Sequence, residues 1–236
     1  MMSRKPPGPG ARGAFSLKRA AKLAQKKHRE AERLFLTEGR ALISESPEPP
    51  RHFFTDPADV RKLSTLTTPT GPVGVFPFLD VAPNDLLRTC ERIVALHGVQ
   101  DPGNVGTIIR AAHAFGASAA LSHRSADLYN PKTVRATMGS IFHAPIAREI
   151  ETTEFLQEAS TAGFTTIAAV PEAGGPPKFL PNGKLVLMVG AEGSGLPEEV
   201  ISACDGVVTI PSQAASLNAA VAASILLYEA YLRVLP

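Results

Sequence analysis

An α/β fold built on a mostly parallel sheet is the class this sequence predicts for its carboxyl-terminal two thirds. Three observations predict it. Short apolar runs alternate with helical patterns from about Arg92 onward, the runs are rich in Val, Ile, Leu and Ala with little polar interleaving, and turn residues separate them. A strand buried on both faces reads as such a run, whereas a half-exposed antiparallel strand would alternate. The 236 residues, 44% of them hydrophobic, suffice for one substantial core and a small added lobe.

The amino-terminal third has a different character. Residues 1–15 (MMSRKPPGPGARGAF) are rich in Pro and Gly and bury too little apolar surface to offset ordering, so a flexible basic tail is expected there. Residues 16–35 read as one helix, capped by Ser16, with Leu17, Ala20, Ala24, Ala31, Leu34 and Phe35 near helical spacing and basic residues on the other faces. Gly39 and the SPEPP segment (46–50) stop that pattern, DPADVRKLS (56–64) reads as a short helix, and GPVGVFPFL (71–79) as an apolar strand. Residues 83–87 are expected to link this lobe, residues 16–82, to the main domain, residues 83–236.

In the main domain the expected strands are IVALHGV (93–99), ASAALS (117–122), HAPIAR (143–148), TTIAAV (165–170), KLVLMVG (184–190) and GVVTIP (206–211). Helices are expected to start near Val105, Pro131, Thr153 and Pro197, and a last long one to run from about Leu217 to Leu232, its small residues allowing close packing.

Charge divides the chain. Residues 1–40 hold 11 Lys/Arg and 3 Asp/Glu, the remainder 13 and 19. A basic head suits a polyphosphate partner, through release of condensed counterions. A solvated basic tail explains the same count, and an organellar transit peptide is disfavoured by Pro6, Pro7 and Pro9, which break an amphipathic helix. Cys90 and Cys204 lie in no CxxC or Cys/His cluster, so neither a disulfide framework nor a metal site is expected. With no long apolar window and no secretory signal, a soluble cytoplasmic protein without a membrane partner is expected.

Ligands of open α/β sheets sit beyond the carboxyl ends of the strands. Three loops there combine small residues with hydrogen-bonding side chains. The first, QDPGNVGTIIR (100–110), offers Asn104 as a helix cap and Arg110 on the second turn, where it could snorkel to solvent or pair with a carboxylate. The second, GAEGSGLPEEV (190–200), has the glycines of a phosphate loop but no Lys, and fits neither GxGxxG at the proper offset nor GxxxxGK[ST]. With Glu192 among its glycines it suits a neutral or cationic ligand. In the third, SQAASLNAAV (212–221), Ser216 or Asn218 could do no more than cap the last helix. A dinucleotide-binding dehydrogenase is disfavoured by the missing glycine fingerprint.

Taken in order, NVGTIIRAAHAFG, VGAEGSGL and IPSQAASLNAAVAASILLYE resemble the three signature motifs of the SpoU (TrmH-like) family of the SPOUT superfamily. TVRATMGSIFHAPI resembles the family segment after the second strand, so the resemblance covers about Ile93 to Arg233. EAERLFLTEGRALI and DVRKLSTLTTPTGPVGVF are similar to the two ends of the family's L30e-like RNA-binding lobe, whose middle is largely missing here.

The resemblance implies a SPOUT-type sheet with a carboxyl-terminal trefoil knot and a shortened amino-terminal lobe. It implies S-adenosylmethionine as cofactor, held by Val189, Gly190, Glu192, Gly193, Ile210, Pro211, Leu217 and Asn218. The implied reaction is methyl transfer to a ribose 2′-hydroxyl of RNA, ribosomal RNA first and transfer RNA as alternative, with Asn104, Arg110, Ser216 and Asn218 as catalytic residues. It also implies a homodimer joined through the last helix and the knot. An arginine keeps its proton, so Arg110 is better suited to holding a phosphate and stabilising an alkoxide than to acting as a base. Lys18, Arg19, Lys22, Lys26, Lys27 and Arg29 of the basic helix, with Arg110, are the candidate RNA contacts. Only Ser212 to Ala215 stand between Pro211 and Ser216, fewer than family members usually carry. A catalytically silent RNA-binding protein on the same scaffold is the alternative that this short loop raises.

Overall fold

The computed structural model describes residues 15–234, so the expected tail lies almost wholly outside the described residues. Seven short elements form the amino-terminal lobe: α1 (Leu17–Lys22), α2 (Lys26–Glu32), β1 (Leu34–Glu38), α3 (Arg40–Ser44), β2 (His52–Phe54), α4 (Pro57–Leu63) and β3 (Val73–Pro77). The single helix expected over 16–35 is therefore two helices and the start of a strand. Ser16 caps α1, accepting from the Arg19 N–H at 3.2 Å. Arg33, in a left-handed conformation (φ 52°), ends α2 and turns Leu34 and Phe35 into β1. All five residues of β1 are buried, so this strand carries no alternation to betray it. β3 pairs antiparallel with both β1 and β2 to give the order β1-β3-β2.

The main sheet is built from β4 (Arg92–His97), β5 (Ser118–Ser122), β6 (Ile146–Ile150), β7 (Thr165–Ala169), β8 (Leu185–Gly190) and β9 (Gly206–Val208). Its order is β6-β5-β4-β8-β7-β9, and every neighbouring pair is parallel. Around it lie α5 (Pro83–Thr89), α6 (Pro102–Ala114), α7 (Pro131–Ala136), α8 (Thr152–Thr161), α9 (Glu198–Ser202) and α10 (Ala219–Leu232). The segment expected as a linker is α5, started by Pro83 at a first helical position, where its missing N–H costs nothing. The chain leaves β4 toward β6 on one side and returns beyond β8 on the other. That reversal opens a crevice at the carboxyl ends of β4 and β8, where an open parallel sheet takes its ligands.

Val94 and Leu96 face one core with α6 and α10, while Ile93 and Ala95 face a second core with α5, α8 and α9. Phe35, Leu42 and Phe76 of the small lobe belong to the first of these cores. Polar contacts tie the two parts further. The Tyr129 hydroxyl accepts from the N–H groups of Leu79 (2.6 Å) and Asp80 (2.8 Å) and donates to the Asp80 carboxylate (2.7 Å), while Phe78 stacks on its ring at 3.8 Å. Arg148 pairs bidentately with Glu30 and also with Asp80. Burial alone would raise the Asp80 carboxyl, but Tyr129, Arg148 and Arg33 together hold it below its ordinary value.

Candidate active site

Asp101, not Asn104, caps α6: its carboxylate accepts the Asn104 N–H at 2.9 Å. That leaves the Asn104 side chain, one turn into the helix, available for a longer connection. Its Nδ2 donates to Glu192 Oε1 at 2.6 Å, and its Oδ1 accepts from Asn218 Nδ2 at 3.1 Å. Asn218 in turn caps α10, its Oδ1 accepting from the N–H groups of Ala220 (2.9 Å) and Val221 (3.2 Å). The orientation of both amides follows from the ends of this relay. Helix N–H donors at one end require an oxygen, and a carboxylate at the other requires an NH2. One polar chain thus joins the three loops, across 88 and 114 residues of sequence.

Beside the relay lies a cavity of about 390 Å³, in the range of small-ligand sites. The expected Val189, Gly190, Glu192, Gly193, Ile210, Leu217 and Asn218 line it, as does Ser216. Pro211 is not among the lining residues. Sequence reading missed the loop after β7, where Ala169, Val170 and Pro171 form one wall. Ala168, Ala169, Val170 and Pro171, at the carboxyl end of β7, carry no polar side chain to single that loop out. The loop after β8 is tightly closed on itself: Ala191 and Gly195 exchange two backbone hydrogen bonds (3.2 and 2.9 Å), and a Cβ on Gly190 would lie 2.3 Å from the Gly195 carbonyl carbon. Position 190 therefore requires glycine.

Asn104 and Arg110 stand outside the cavity lining. Arg110 is exposed, on the stripe of α6 that also carries Gly106 and His113. The site thus has two parts, a largely apolar cavity edged by Glu192 and an exposed polar shelf on α6. Glu192 places negative charge at the mouth and, among the described residues, no lysine or arginine lines the cavity, which matches a cationic or neutral ligand and opposes an anionic one.

The basic helix is more constrained than its composition implies. Arg29 is 3% exposed, donating to the carbonyls of Leu23 and Ala24 and pairing with Asp127 at 2.5 Å, so its guanidinium is engaged in the interior. Arg19 pairs with Glu32 and Lys26 with Glu149. Lys18, Lys22 and Lys27 remain exposed. Burial pushes the Cys204 thiol up to about 11, consistent with an inert side chain, and among the described residues no group of three or more His, Cys, Asp or Glu could hold a metal ion.

An open parallel sheet with its cavity beyond β8 and polar loops at the switch of strand order defines a ligand-binding α/β protein of the doubly wound kind. The SpoU rRNA Methylase family model matches residues 91–228, and the chain belongs to that family. It is 36% identical over 151 residues to the 23S rRNA (guanosine(2553)-2′-O)-methyltransferase RlmP of Bacillus subtilis, a match covering 62% of this chain and 60% of that protein. The chain therefore spans only part of the length of curated relatives such as this one. Among solved structures it resembles an AdoMet-bound rRNA methyltransferase from Sinorhizobium meliloti, with TM-score 0.85, 30% identity and coverage of 93% of this chain and 95% of that one. It also resembles the SpoU methyltransferase AviRb of Streptomyces viridochromogenes in complex with AdoMet, with TM-score 0.81, 27% identity and coverage of 94% and 98%.

Proposed function

We propose that this protein transfers a methyl group from S-adenosylmethionine to a ribose 2′-hydroxyl of RNA, ribosomal RNA first. The observation that carries this reading is the Asn218–Asn104–Glu192 relay standing at the mouth of a cavity that, among the described residues, no lysine or arginine lines. Such a cavity fits a ligand whose reactive centre is a cation. When bound, the cofactor supplies an electrophilic methyl group.

The chain's own residues supply placement and charge. Glu192 holds Asn104, and Asn218 holds it from the other side, so the Asn104 amide cannot rotate without breaking a hydrogen bond. The exposed guanidinium of Arg110 is permanently charged and can grip a phosphate beside the target ribose while favouring the alkoxide that forms. Ser216 and Asn218 bring hydroxyl and amide groups to the boundary between cavity and shelf.

Three further features belong to this reading. The segment after β9 runs tightly against the loop after β7: Thr209 Oγ1 accepts from the Gly174 N–H at 2.9 Å, and a Cβ on Gly174 would lie 2.7 Å from the Val208 carbonyl carbon. This close approach of two loops at the carboxyl ends of β7 and β9 supports a carboxyl-terminal knot. On α10, Val221, Tyr228 and Leu232 are 49%, 47% and 42% exposed and share one face, which supports a homodimer joined there. Residues 16–82 would be a shortened RNA-binding lobe and residues 83–236 the catalytic domain. No helix among the described residues is long and apolar enough to cross a membrane, and a cytoplasmic place beside its RNA fits.

Calorimetry with S-adenosylmethionine, followed by mapping of 2′-O-methyl sites in ribosomal and transfer RNA from a deletion strain, tests the proposal. Saturable binding and loss of one ribosomal site are expected. No binding at millimolar cofactor would leave a silent RNA-binding scaffold, and loss of a transfer RNA site would move the substrate.

A further inference from the structure

α7 lies between the small lobe and the shelf, and its exposed edge connects them. Three contacts set α6 and the α7 segment side by side. A Cβ on Gly103 would lie 3.8 Å from Lys132 Cε, one on Gly106 would lie 2.5 Å from Ala136 Cβ, and His113 Nδ1 sits 3.1 Å from Ser140 Oγ. Arg110, on the same stripe between Gly106 and His113, is therefore level with the end of α7. Lys132 and Arg135, three residues apart, share one face of that helix. Lys132 reaches the Asp101 carboxylate at 3.0 Å, at the amino end of α6, and both side chains are about half exposed. Arg135 donates to the hydroxyl of Thr65 at 2.8 Å, in the small lobe just after α4.

We infer that Lys132 and Arg135 form a phosphate-binding ledge that carries the RNA backbone from the small lobe to Arg110. The inference rests on the RNA substrate proposed above. Among the described residues Lys132 is held by one exposed ion pair, whose strength is comparable with thermal energy, and Arg135 by a neutral hydroxyl. Both cations can therefore exchange their present partner for a phosphate, which a buried pair such as Arg29–Asp127 cannot do. The ledge also supplies phosphate contacts that Arg29 of the basic segment, held in the interior by Asp127, cannot. Two carboxylates flank this path: Asp101, paired with Lys132, and Glu38, which shares a small cavity with Arg135 and Thr65 and accepts from the Ser64 hydroxyl. Asp101 is held below its ordinary carboxylate range, chiefly by Lys132.

The test uses the full chain and protein-free 23S ribosomal RNA as probe, with affinity measured across a salt series. Each phosphate contact contributes about 0.7 to 0.9 to the slope of log affinity against log salt. The double variant Lys132→Ala/Arg135→Ala should lose roughly 1.4 to 1.8 of that slope. Lys132→Arg/Arg135→Lys should keep it, and S-adenosylmethionine binding by calorimetry should be unchanged in all three proteins. Lys132→Ala alone, at an exposed position, should lose about half as much. An unchanged slope in the alanine variants overturns the ledge while leaving RNA binding intact, as does equal loss in the charge-conserving variant. A wild-type protein that binds S-adenosylmethionine but neither this RNA nor transfer RNA, tried as a second probe, overturns the substrate reading and the ledge with it.

Discussion

Gly106 sets two known effects of one substitution against each other. Replacing a helical glycine by alanine ordinarily stabilises a helix by about 1 kcal/mol. Here the added Cβ would stand 2.5 Å from Ala136 Cβ and 2.6 Å from the Thr133 carbonyl oxygen, whereas ordinary contact starts near 3.4 Å. Neither neighbour is the end of a flexible side chain, so α6 and α7 must separate by roughly 1 Å, at an overpacking cost of about 1 to 3 kcal/mol. Strain equals or exceeds propensity, and Gly106→Ala is expected to be neutral to about 2 kcal/mol less stable. For a chain of this size that is a fall in melting temperature of up to roughly 8 °C. The functional consequence is larger than the thermal one. Asn104 lies two residues away and holds Glu192 at 2.6 Å, so the same displacement stretches the relay, and misplacement on that scale can cost on the order of 100-fold in rate. Thermal and urea denaturation alongside single-turnover methyl transfer report both. A Gly106→Ala protein more stable than the parent, with unchanged turnover, would refute the argument from close approach.

Asn104→Asp removes the amide donor and sets a second carboxylate against Glu192, so turnover should drop on the order of 10- to 100-fold and recover partly in acid as the pair takes up a proton; a pH–rate profile shows it. Arg110→Lys should retain measurable activity where Arg110→Ala does not, and equal inactivity would exclude a purely electrostatic role. Because Asp80 is held below its ordinary value in the fold, its contribution to stability is complete above about pH 4 and is lost as pH falls through the lowered value. Asp80→Asn should flatten that part of an acid denaturation curve. Arg29→Ala strands the Asp127 carboxylate in the interior and should cost about 3 to 5 kcal/mol in urea denaturation, whereas Lys18→Ala, on the surface, should cost almost nothing.

Sequence by itself determined the parts whose causes are local. Apolar runs without alternation announced the parallel strands β4, β5 and β8, since burial on both faces leaves no polar phase; β6, β7 and β9, which are only partly buried, were legible as apolar runs between turn residues, and turn residues also marked the three loops at the strand ends. The same logic failed for β1. Leu34 to Glu38 is also buried throughout, but it follows a helical pattern with no glycine or proline, and the break depends on Arg33 in a left-handed turn that no local preference requires. β2 is three residues long and owes its conformation to β3. The site divides in the same way. Asn104, Glu192 and Asn218 were legible as polar residues at strand ends, but tertiary structure alone decided that Asp101 caps α6, that Asn104 is thereby free to bridge two distant loops, and that Val170 walls the cavity. It decided also that Arg29 turns inward while Lys18 does not. The physical reason is range. Periodicity and capping act over three or four residues, whereas a charge chooses between solvent and interior according to partners about a hundred residues away, which only the folded chain brings within hydrogen-bonding distance.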